Sequence, residues 1–191
     1  MAEQSGRAAS VTRFDATVES LAGRRIARLP AEVSAQLPSR GQVAIEGRVD
    51  GRDFVAVIEP DGLRGHWVDI ERLGATPHAA TTEADVTTAS RAVTIEFAPA
   101  ESWPEPEVPA DFRSALDQAP TASATWSDIT SMARWEWVRW ITSTRSPATR
   151  DRRIEVGISK LDRGSRRPCC FDLSSCTDPD LSRSGKLLPP S

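Results

Sequence analysis

The chain has 191 residues and a mass of 20.8 kDa, with 39% hydrophobic and 27% charged side chains. That is a globular composition, enough for one ordinary domain or two small ones, and it excludes collagenous and charge-rich disordered classes. The net charge of −3, from 24 basic and 27 acidic groups, gives no global attraction to nucleic acid or anionic membrane. No apolar run approaches the roughly 18–20 residues that span a bilayer. The opening MAEQSGRAAS has no apolar signal core, and three cysteines cannot form an all-intrachain disulfide framework, so a reducing cytoplasm is the expected compartment.

Residues 1–10 are small and polar without period and read as a flexible tail. From Thr12 the pattern alternates: Phe14, Ala16 and Val18 share one side of an extended segment, with Asp15, Thr17 and Glu19 on the other. A short run follows at 25–29, and Pro30 with Glu32 signals a short helix. The strongest strand signal is Val43, Ile45 and Val49 alternating with Ala44, Glu46 and Arg48, closed by the hairpin turn Asp50-Gly51. The return strand, Phe54 to Ile58, is almost continuously apolar, as where both faces are covered. Asp61-Gly62 turns into a strand at 66–70, residues 71–91 are weakly patterned, and Val93, Ile95 and Phe97 resume the alternation. Five or six short strands in about 100 residues predict a small barrel over 11–99.

Four prolines between 99 and 109 mark a linker, taken as 100–107. After it the period changes to 3.6. Pro109 opens a helix carrying Phe112, Ala115 and Leu116; Ser127 or Asp128 caps a second carrying Ile129, Met132, Ala133, Trp137, Trp140 and Ile141. Ser146-Pro147 starts a third with Ile154, Ile158 and Leu161, which Gly164 is placed to end in a left-handed cap. The prediction is an α+β chain: a β-barrel, then a three-helix domain over 108–166, then an irregular cysteine-containing tail over 167–191.

Charge is unevenly divided, with net −3 over residues 1–100, −5 over 101–128 and +5 over 129–191. There are 22 arginines against two lysines, which reads as codon bias in a GC-rich genome rather than selection for guanidinium forks. Within the basic segment Arg145, Arg150, Arg152, Arg153, Arg163, Arg166 and Arg167 are interleaved with Asp151, Glu155 and Asp162. They form either an ordinary solvated face or an anion site at the start of the last helix, where free amides favour negative charge. The candidate partner-binding set is Arg145, Arg150, Arg153 and Trp135. Trp126, Trp137 and Trp140 read as helical core, while Trp135 is the most exposed of the four.

Cys169, Cys170 and Cys176 lack a fourth ligand and any Cys-x-x-Cys spacing, so no metal site is expected, with His66 and His78 too far off to complete one. His66 beside Trp67 reads as a half-buried structural residue. No Ser–His–Asp constellation and no glycine-rich phosphate loop is legible, so no catalytic residue and no cofactor is implied.

The run Trp140-Ile-Thr-Ser-Thr-Arg145-Ser-Pro-Ala-Thr149-Arg150-Asp-Arg152-Arg153-Ile154 resembles the helical signature of the YdeI/OmpD-associated protein family. Arg167-Pro-Cys-Cys-Phe-Asp172, Cys176-Thr177 and Ser184-Gly-Lys-Leu-Leu188 resemble the C-terminal segment of some of its members. Leu29-Pro30, Gly47, Asp50-Gly51-Arg-Asp-Phe54 and Gly65-His66 resemble the small β-barrel domain of unknown function fused ahead of it. Arg145 departs from the pattern, standing where a lysine is usual, and so does the segment before Val93, which lacks the usual Gly-Asp turn. The resemblance implies a bacterial protein with a double-split barrel, the architecture also of AbrB-like DNA-binding regulators.

The leading functional expectation is a non-enzymatic cytoplasmic binding protein linked to bacteriocin, antimicrobial-peptide or envelope-stress protection, taking a protein or small anionic ligand and not entering the membrane. The alternatives are a nucleic-acid-associated regulator that uses the barrel and the arginine-rich helix, and an enzyme with a site in the inter-domain cleft. A contiguous positive stripe favours nucleic acid; a surface of mixed charge favours protein or small-ligand binding.

Overall fold

Alternation of apolar and polar residues closes the front half into a six-stranded barrel. The computed structural model describes residues 11–74, 91–168 and 177–189. The strands are β1 (Thr12–Leu21), β2 (Arg24–Arg28), β3 (Val43–Val49), β4 (Arg52–Pro60), β5 (His66–Asp69) and β6 (Arg91–Pro99), in the closed order β1-β2-β5-β4-β3-β6. All neighbours are antiparallel, and β6 closes the barrel by pairing with β1 on one side and β3 on the other. Phe14, Ala16, Ile45, Val49, Val93, Ile95 and Phe97, the alternating set of the sequence, meet in its core.

Two close approaches fix the closure. A Cβ at Gly47 would lie 1.9 Å from the Glu96 carbonyl oxygen, so only glycine lets β3 reach β6 there. The β3–β4 hairpin turns on Asp50 and Gly51 at φ 48° and 79°, the two left-handed residues of a type I′ turn. Pro30 sits just ahead of the short helix α1 (Ala31–Gln36), whose Val33 enters the barrel core. A 3-10 turn, Glu71–Leu73, puts Leu73 there too.

The helical part has four helices where the sequence predicts three: α2 (Ala110–Asp117), α3 (Pro120–Asp128), α4 (Ser131–Thr142) and α5 (Pro147–Asp162). α3 offers the core only Ala122 and Trp126, one turn apart, too few apolar positions to show a period. Phe112, Leu116, Trp126, Trp137, Ile141 and Leu161 form a second core, separate from that of the barrel. Ser146 caps α5 by accepting from the Thr149 N–H at 3.3 Å, and Gly164 ends it at φ 80°.

The segment expected to be irregular contains a small hairpin, β7 (Ser182–Arg183) and β8 (Lys186–Leu187), which returns to the barrel. Leu181 and Leu187 cover Leu21, Ile26 and Trp67 on its outer surface. The Trp67 indole N–H donates to Thr177 Oγ1 at 2.8 Å, and Arg24 bridges Asp69 and Asp178. The Leu187 N–H donates to the Asp61 carbonyl at 2.8 Å. The three cysteines, His78 and the expected N-terminal tail lie outside the described residues. Among the described residues no group of metal-ligating side chains occurs and no helix is long and apolar enough to cross a membrane.

Candidate functional site

Helix α4 is buried on two sides. Ala133, Trp137 and Ile141 turn into the helical core, while Trp135, Val138, Arg139 and Thr142, spaced i, i+3, i+4, i+7, line a cleft against the barrel. The facing wall is β4. Its Phe54, Ala56 and Ile58 point into the barrel, which leaves Val55, Val57 and Glu59 on the outer surface. From Ala56 to Ile58 the apolar run of this strand has its cause, since Val57 on the outer face is buried as well. Between the walls lies a cleft of about 640 Å³, also lined by Arg72, by the linker at Pro104 and by residues 178–180.

Glu59 and Arg139 join the walls. They form an ion pair whose side chains are only 4% and 8% exposed, and Arg72 stands 3.9 Å from the same carboxylate oxygen. Burial pushes the Glu59 carboxyl above its ordinary range, against the opposing pull of Arg139 and Arg72. Glu59 Oε2 and Arg139 Nε have no hydrogen-bond partner.

The strand edge beside this wall is open. In a two-residue hairpin the pair flanking the turn is hydrogen-bonded, so Arg52, Phe54, Ala56 and Ile58 bond to β3. Asp53, Val55 and Val57 therefore direct their N–H and C=O groups the other way, where β5 pairs only with Glu59 and Pro60. Val55 is 52% exposed. Among the described residues nothing pairs with that edge at Val55.

The candidate set from the sequence is spread over three places. Trp135 and Arg150 both line the cleft. The Trp135 indole N–H donates to the Pro104 carbonyl at 2.7 Å, pinning the linker to α4, and Arg150 makes two hydrogen bonds to Asp111 at 2.5 and 2.9 Å. Arg145 lines a neighbouring pocket of about 410 Å³. Arg153 is in neither: it donates to the Trp140 carbonyl at 2.7 Å and to Ser143 Oγ at 2.9 Å, with its guanidinium over the Trp140 ring. It answers the carbonyl end of α4.

Three further arginines of the basic segment are ion-paired, Arg134 with Glu105, Arg166 with Asp128 and Arg167 with Glu136, while Arg163 donates to the Ser159 carbonyl and hydroxyl. At these pairs the surface is of mixed charge. His66 is fully buried rather than half-buried, and burial lowers its pKa. Its Nε2 lies 3.1 Å from the Gly41 carbonyl, which requires the proton on that nitrogen.

Glu59, Arg72 and Arg139 escape a reading by charge clusters. The signal they leave is a charge in apolar company: Glu59 directly after Val55 to Ile58, and Arg139 between Val138 and Trp140.

Two family models match the chain. Residues 105–164 match "Bacteriocin-protection, YdeI or OmpD-Associated", and residues 14–87 match a domain of unknown function, DUF1905. No curated protein and no solved structure matches it. The second model stops short of β6, the strand that closes the barrel, and the first spans all four helices up to the cap at Gly164. The chain therefore joins a DUF1905 barrel domain to a YdeI/OmpD-associated helical domain.

Proposed function

We propose that the chain is a non-enzymatic, cytoplasmic binding protein that takes a peptide segment of its partner in the cleft between β4 and α4. The observation that carries this is the outward edge of β4 at Val55, unpaired among the described residues and lying on the wall of a cleft large enough to admit an extended chain. Backbone groups at Asp53 and Val55 supply hydrogen bonds, exposed Val55 and half-buried Trp135 supply apolar contact, and Arg72 with Glu105 supplies charges of both signs. The mixed charge favours a peptide over nucleic acid. The family's description, bacteriocin protection, fits a peptide as the partner.

The test uses labelled bacteriocin peptides and fluorescence anisotropy. Val55→Pro removes the outward N–H without taking a bond from the β3 ladder, while Val55→Thr keeps that N–H. The expected outcome is binding to the parent and to Val55→Thr, weakened about tenfold by Val55→Pro. Equal binding to all three, or none to the parent, would remove the proposal.

A further inference from the structure

We propose that the smaller pocket, between the end of α4 and the β7–β8 hairpin, binds a phosphate group. It is separate from the peptide cleft, although Thr144 and Pro179 border both. Two guanidinium groups from distant parts of the chain line it, Arg145 from the α4–α5 connection and Arg183 from β7. Hydroxyls surround them: Thr144, Thr177, Ser182 and Ser184. No carboxylate is among its described lining residues.

Neither guanidinium donates a hydrogen bond to a described residue. Arg183 has no partner among the described residues. Arg145 has Asp180 at 3.6 Å, beyond hydrogen-bond reach, and the two side chains are 61% and 76% exposed. Thr144 Oγ1 already accepts from the Ser146 N–H at 3.2 Å and Thr177 Oγ1 from the Trp67 indole at 2.8 Å, so each keeps its own O–H to donate. The hairpin turn at Ser184 and Gly185, with φ 51° and 72°, follows Arg183, which lines the same pocket as Arg145. A tetrahedral dianion takes donors from several directions at once, which two planar forks and several hydroxyls supply and which a flat carboxylate does not use. A volume of about 410 Å³ leaves room for a small organic group on the phosphate.

The full chain is titrated calorimetrically with inorganic phosphate and with glycerol 3-phosphate, and sedimented with vesicles containing phosphatidic acid. Arg145→Gln and Arg183→Gln should each weaken binding by about tenfold or more. Lys186→Gln, an equal charge loss on the same hairpin outside the pocket, should change it less than twofold. The two arginines sit on different elements, so loss in both variants cannot come from a misfolded hairpin. Binding of the soluble phosphates identifies a phosphorylated metabolite; binding of vesicles alone identifies a lipid headgroup as the source of the same group. No binding of any of the three, or equal loss with Lys186→Gln, overturns the proposal. Val55→Pro should leave phosphate affinity unchanged, which separates failure here from failure of the peptide reading.

Discussion

Glu59 of the barrel and Arg139 of helix α4 are ion-paired across the boundary between two separate hydrophobic cores, and both are sealed from solvent. Neither charge could be buried alone, because the desolvation cost of a lone ion exceeds what packing returns. The pair therefore fixes where the helices sit on the barrel and holds the cleft's two walls at one spacing.

Removing one partner should cost far more than removing both. Arg139→Ala leaves Glu59 buried without a counter-charge and should lower stability by about 3–5 kcal/mol. The double change Glu59→Met with Arg139→Met should recover most of that loss. Urea unfolding of the parent and both variants measures it.

The same pair has a pH signature. The folded-state pKa of Glu59 is raised, so the folded chain holds that proton more tightly than the unfolded one. Its contribution is therefore fully present below the ordinary carboxylate pKa and is lost as pH rises through the raised folded value. Arg139→Ala removes the main opposing pull and raises that pKa further. The stability deficit of Arg139→Ala relative to the parent should accordingly narrow as pH is lowered, and a deficit constant with pH would count against the assignment.

Trp67 and the residues after 177 give a second test. Leu181 is fully buried against Ile26 and Trp67. Leu181→Ala should cost about 2–5 kcal/mol and shift Trp67 fluorescence to the red as water reaches the indole. A variant as stable as the parent would mean that the hairpin rests on the barrel without supporting it.

The barrel was legible because a period of two survives wherever one face is buried: Val43, Ile45 and Val49 name their side without help from the rest of the chain. The return of β7 and β8 was not, since Leu181 and Leu187 meet Leu21, Ile26 and Trp67, more than a hundred residues away. α3 was missed for want of apolar positions. The candidate site was half legible. Trp135 and Arg150 share the cleft, but Arg145 and Arg153, near neighbours in sequence, are carried apart: Arg145 precedes the helix and Arg153 lies two turns on, against Trp140. Glu59 and Arg139 look like isolated charges until the second core supplies the partner.

Gly62 and Gly51 separate backbone strain from collision. Both are left-handed, at φ 71° and 79°. A Cβ at Gly51 meets nothing, whereas one at Gly62 would lie 1.9 Å from the Gly185 carbonyl oxygen. Gly51→Ala should cost only the conformational term, about 1–2 kcal/mol. Gly62→Ala adds displacement of the β7–β8 hairpin, so its thermal midpoint should fall further and Trp67 should become accessible to a quencher.

Arg150 tests whether the basic segment is structural or binding. Its double hydrogen bond to Asp111 joins the start of α5 to the start of α2, and it holds the Asp111 carboxyl below the ordinary range. A depressed carboxylate pKa contributes stability that is present above the unfolded value and lost as pH falls through the folded one. The pair is partly exposed and screened by solvent, so Arg150→Ala should cost no more than about 1 kcal/mol at neutral pH. Parent and variant should converge in acid, once Asp111 is protonated and the contact is gone in both. The effect of Arg150→Ala on phosphate affinity should be small, since Asp111 already engages the guanidinium, whereas Arg145→Gln should lower that affinity at unchanged stability. If instead Arg150→Ala abolished phosphate binding with its thermal midpoint intact, the anion would have to sit at the start of α5 rather than between Arg145 and Arg183.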